Sequence, residues 1–108
     1  MTDFPTKVKV GWRDYKILEW DLHAARSAEC YGETRHIPGE IAIDRTHPVE
    51  QQAETLTHEI LHVIFRQWSI QDDIGEERTV GALSNGLASV IRDNPDVWAW
   101  IQEGLAQK

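Results

Sequence analysis

The chain has 108 residues, with 18 Asp and Glu against 11 Lys and Arg, a formal charge of −7 and a hydrophobic fraction of 41%. A chain of this length suits one domain that buries about 65% of its unfolded surface. The acidity and the lack of a basic patch argue against a nucleic-acid partner, which needs clustered cations to displace counterions from phosphate. Residues 1–5 lack the apolar core of a signal peptide, and no run nears the roughly 18 apolar residues that span a bilayer. A soluble, cytoplasmic protein with no membrane partner is expected. Cys30 is the only cysteine, so it forms no intrachain disulfide and reads as a small buried hydrophobe.

In chain order, residues 7–10 alternate charged and apolar side chains, and 15–20 are rich in β-formers, with turn material at 11–14. Together they predict a β-hairpin. Residues 21–29 fit either a short helix capped by Asp21 or a loop. Segments 30–36 and 40–44 flank Ile37, Pro38 and Gly39 and predict a second antiparallel pair. His47 and Pro48 open a helix over 49–68 that runs for about five turns. Asp73 and Glu76 have capping-box spacing for a second helix, with Val80, Leu83, Leu87, Val90 and Ile91 inward. Asn94 as cap and Pro95 as first residue start a short third helix, with Trp98 and Ile101 on one face. The expected fold is α+β, a small antiparallel sheet packed on two long helices and a short C-terminal one. Trp12, Trp20, Trp68, Trp98 and Trp100 are many for this length and read mostly as core or half-buried anchors.

The helix over 49–68 carries His58, Glu59 and His62, a His-Glu-x-x-His motif. Histidines four apart on a helix project from one face, about a turn from each other, so both imidazoles can reach one cation. Val49, Ala53, Leu56, Ile60 and Val63 form the apolar stripe, while Gln51, Thr55, His58 and His62 fall together on the other side. The histidines therefore face a polar groove. A chance match of five letters on a solvated helix face is the bland alternative, but the helical context the motif requires is present.

Two histidines do not complete a catalytic zinc site, which takes a third protein ligand and an open position. The acidic run 71–77 is the obvious source, and His23, His36 and His47 read as isolated surface or hydrogen-bonded histidines. Glu76 shares a stripe with Val80, Leu83 and Leu87 and already has a capping task. Glu77 shares one with Gly81, Ser84 and Ala88, small residues that would let the motif helix approach. Glu77 is the preferred ligand on that ground, with Glu76 the alternative; both could instead merely complement the positive end of the helix.

The motif and its surroundings resemble the gluzincin metallopeptidases, most closely the small phage and prophage-type members. The resemblance runs through Ile41 to Asp44, Thr55 to His62, Glu76 to Val80, Leu83, Gly86, Leu87 and Arg92 to Pro95. It implies a zincin-like minimal metallopeptidase with zinc held by His58, His62 and a glutamate at 76 or 77, and Glu59 as catalytic base. The reaction so implied is hydrolysis of a peptide or protein substrate by zinc-activated water. Tyr31, His36 and His23 are open candidates for a second oxyanion donor. Thr55 reads either as a support for His58 or as a solvated threonine, and the strand at 40–44 as an edge to which a peptide could add. A zinc-binding regulatory module with little turnover is the competing expectation, and non-haem iron fits a two-histidine, one-carboxylate set less well because of the glutamate inside the motif.

Overall fold

The computed structural model describes residues 2–20, 31–70 and 76–107, with Glu76 and Glu77 described by their backbone only. The expected helix or loop at 21–29, Cys30, His23 and the Asp73 cap lie outside the described residues. Four strands, β1 (Lys7–Val10), β2 (Arg13–Glu19), β3 (Gly32–Arg35) and β4 (Glu40–Ile43), precede three helices, α1 (Val49–Gln67), α2 (Glu76–Asp93) and α3 (Pro95–Ala106). This is the α+β arrangement expected of the alternating strands and periodic helices.

The sheet order is β1-β2-β4-β3. Both hairpins are antiparallel, Val8 facing Tyr15 and Thr34 facing Ile41, and Gly11 takes the left-handed backbone of the first turn at φ 61°. The two hairpins join through a parallel pair in which Ile17 faces Ile41 and Glu19 faces Ile43. The sheet is therefore mixed, where the hairpin signals alone predicted an antiparallel one. It also puts β4 inside the sheet, so the edge expected at 40–44 belongs instead to β3. The position of β4 suits its composition, since Ile41, Ala42 and Ile43 are all buried, as a central strand covered on both faces requires.

One face of the sheet, formed by Val8, Val10, Tyr15, Ile17, Ile41 and Ile43, meets Ala53, Leu56, Ile60, Val63 and Ile64 of α1 in the main core. Burial of such side chains stabilises by about 1.5–3 kcal/mol each. Val49, at the first turn, is exposed despite its place in the predicted stripe. The helix ends where Ser69 turns left-handed at φ 51° and Ile70 N–H reaches back to Phe65 O at 2.9 Å, a Schellman-type stop. Helix α3 crosses α1 closely, because a side chain at Gly104 would stand 2.8 Å from Ala53 Cβ. Its buried residues are Val97, Trp100, Ile101 and Gly104, so Trp98 is only partly covered. Four of the five tryptophans are buried or half-buried, and Trp12, at 79% exposure, is not.

Helix α2 packs differently from expectation. Val90 is buried and Leu83 and Leu87 partly so, but Val80 and Ile91 are exposed. Gly81 has no heavy atom within 4 Å of its would-be Cβ, and Ser84 and Ala88 are exposed. The close approach to α1 is made at Gly86, where a Cβ would fall 2.5 Å from Ile64 Cγ2. The small-residue stripe of Glu77 thus faces away from the motif helix, and that ground for preferring Glu77 does not hold. By helical register, position 76 is in line with Leu83 and Leu87, which are partly buried, and with Val80, which is exposed.

Candidate metal centre

Helix α1 presents His58 and His62 one turn apart, both exposed, with ring centroids 4.7 Å apart and Nε2 atoms converging to 3.1 Å. Two nitrogen ligands bound about 2.0–2.1 Å from one tetrahedral zinc stand roughly 3.3–3.4 Å apart, a separation close to that of this pair. Without a cation the same approach holds one Nε2–H donating to the other nitrogen. Both rings line a cleft of 460 Å³ with Tyr31, Gly32, Thr55 and Glu59. A second hollow of 350 Å³ shares Tyr31, Gln51 and Glu54 with it and extends toward His47.

Glu59 follows His58 directly, which turns its carboxylate inward from the histidine ridge. It is 6% exposed, still lines the cleft, and accepts a hydrogen bond at Oε1 from Thr34 Oγ1 at 2.7 Å. That leaves Oε2 without a side-chain donor among the described residues. The Thr34 contact depends on how close β3 lies to α1: at Gly32 a Cβ would stand 2.6 Å from Thr55 Cγ2 and 3.0 Å from Ala42 O. Thr55 is buried and bonds Gln51 O through its hydroxyl at 2.8 Å. It is a packing residue under β3, neither solvated nor bonded to His58. Neither Gly32 nor Thr34 carried a local sequence signal, because their partners lie 23 and 25 positions away on another element.

His36 and His47 have separate contacts. His36 Nδ1 stands 3.3 Å from the Tyr15 hydroxyl. Burial pushes its imidazole below the ordinary value, and Arg66, His62 and Arg13 add to the shift against the pull of Glu59. His47 Nε2 meets Asp44 Oδ2 at 3.2 Å, and its ring lies edge-on to Tyr31 at 4.5 Å. Asp44 is held below the usual carboxylate range by the Thr46 hydroxyl and amide, with His47 adding to it. Of the candidate oxyanion donors, Tyr31 lines the cleft.

Among the described residues no three His, Cys, Asp or Glu side chains form a group able to hold a metal. Two donors are brought together, and Glu76 and Glu77, the sequence-based third, belong to α2 with side chains outside the described residues. Among the described residues no helix is long and apolar enough to cross a membrane. The chain matches no family model, no curated protein and no solved structure.

Proposed function

We propose that the chain is a zinc-dependent peptidase, with His58, His62 and a glutamate from the start of α2 as ligands. The observation that carries this reading is the convergence of the two Nε2 atoms at 3.1 Å in a cleft walled by the Glu59 carboxylate. Of the two glutamates, the packing register of α2 supports Glu76 over Glu77. Zinc, when bound, supplies a Lewis acid that acidifies water and polarises a carbonyl. Glu59 accepts the proton of the attacking water through its free oxygen and returns it to the leaving amine nitrogen. Thr34 keeps the other oxygen fixed, so the carboxylate does not rotate away from the cleft. Tyr31 is the proposed second donor to the developing oxyanion.

A peptide would add to β3, whose outer edge pairs with no strand among the described residues. Gly32 and Thr34 stand against Thr55 and Glu59 of α1, and Tyr31 and Gly32 line the cleft with the two histidines. The decisive variant is Glu59→Gln. It should keep zinc and lose about 10²–10⁴-fold in hydrolysis of an unfolded protein substrate. Cleavage by that variant at the parent's rate would remove Glu59 from the mechanism, and activity that survives chelation would remove the metal.

A further inference from the structure

Helix α1 carries one row at four-residue spacing, Glu50, Glu54, His58, His62 and Arg66, each exposed and each turned about 40° round the axis from the one before. Such i, i+4 rows form a continuous ridge. Its charge is negative before the histidine pair and positive after it. Glu50 in the first turn and Arg66 in the last complement the helix dipole, which acts only within those turns. Glu54 lies beyond that reach. It instead lines both the cleft of the histidine pair and the neighbouring hollow, which also includes Glu50. At the other end Arg66 lines a 260 Å³ hollow with Trp12 and Tyr15. Arg13 lines it too, with its guanidinium committed to the carbonyls of His36 and Ile37 at 2.6 and 2.8 Å. Among the described residues Glu50, Glu54 and Arg66 form no ion pair, while Glu33, Arg35, Glu40 and Arg45 all do.

We propose that this ridge selects peptides by charge order, taking an extended segment with Lys or Arg over Glu54 and Asp or Glu over Arg66. The inference rests on the peptidase reading of the cleft and adds its substrate class. Glu54 and Arg66 stand at equal distances from the middle of the histidine pair, about 9 Å each way along the axis. An extended peptide advances about 3.3 Å per residue, so the two charges fall about six residues apart. An even spacing keeps both side chains on one side of the pleat, facing the ridge.

The test uses two capped, alanine-rich peptides of identical composition, with Lys and Glu six residues apart in opposite orders. Their affinities are measured on zinc-loaded Glu59→Gln, and their cleavage on the parent chain. One order should bind about tenfold tighter than the other, since two exposed ion pairs contribute about 0.2–1 kcal/mol each. The preference should shrink in high salt, weaken in a second background carrying Glu54→Gln, and reverse when Glu54→Lys is combined with Arg66→Glu. These positions are exposed, and circular dichroism checks that the variants fold. Equal binding or equal cleavage of the two orders overturns the charge-order inference and leaves the peptidase standing. Ordered binding with no cleavage by the parent keeps the charge order as a binding preference and removes the peptidase, and absence of both removes the two together.

Discussion

The two edges of the sheet meet the same physical problem and answer it in opposite ways. An edge strand offers unpaired N–H and C=O groups to any passing chain. On β1 one side chain occupies the edge at Lys9: Asn94 Oδ1 accepts from Lys9 N–H at 2.8 Å, and its Nδ2 donates to Lys9 O at 2.7 Å. The same amide donates to Val90 O at 3.0 Å, tying strand to helix. On β3 no described element covers the edge, and its inward residues serve the cleft: Gly32 by having no side chain, Thr34 by holding Glu59. Asn94 occupies one edge at Lys9, and no described element covers the other beside the proposed centre.

Substitutions at the two edges sharpen this contrast. The largest effect is expected from Gly32→Val, which drives a branched side chain into Thr55 and the Ala42 carbonyl and should cost about 3 kcal/mol of unfolding free energy in denaturant titration. A wild-type midpoint would mean that β3 is free to move off α1. Asn94→Ala, at the β1 edge, leaves backbone groups of Lys9 and Val90 without that partner and should cost about 2 kcal/mol while sparing peptide hydrolysis. Loss of hydrolysis in the still-folded variant would couple the two edges. Thr34→Val, at the β3 edge, should lower turnover about tenfold with KM little changed, and Thr34→Ser should restore it. Were the serine variant as slow as the valine one, the hydroxyl would not be what holds Glu59.

The smallest effect concerns the turn between β4 and α1. Because hydrogen bonds from Thr46 hold Asp44 below its ordinary value of 3.8, its carboxylate contributes stability that is present above that pH. The contribution is lost as pH falls through the lower folded value. Asp44→Asn should therefore flatten the acid limb of the melting-temperature profile below pH 3.8. An unchanged limb would mean that other carboxylates govern acid unfolding.

The local elements were legible in the chain and their long-range pairing was not. The motif helix, read over 49–68, spans Val49–Gln67, because 3.6-residue periodicity and Pro48 are local signals. Both hairpins were legible from alternation and turn residues. The parallel union of β2 and β4 was not, since parallel neighbours share no turn and residues 20–39 separate the two strands. That single pairing moved the sheet edge from β4 to β3 and with it the expected peptide wall. Asn94 shows the same limit at one residue. It occupies the cap position of α3 as its Asn-Pro context predicts, but makes no side-chain cap bond, because its amide is engaged by Lys9, 85 positions earlier. At the centre, the spacing of His58 and His62 predicted their convergence. The reach of a glutamate from α2 depends on how two helices cross, which neither periodicity nor capping encodes.

The most direct test is the zinc content of the purified, zinc-loaded full chain beside His58→Ala, His62→Ala, Glu76→Gln and Glu77→Gln. The account predicts one zinc per parent chain, its loss in both histidine variants, and a much larger drop in affinity for Glu76→Gln than for Glu77→Gln. Zinc absent from the parent, or retained equally by all four variants, would contradict it.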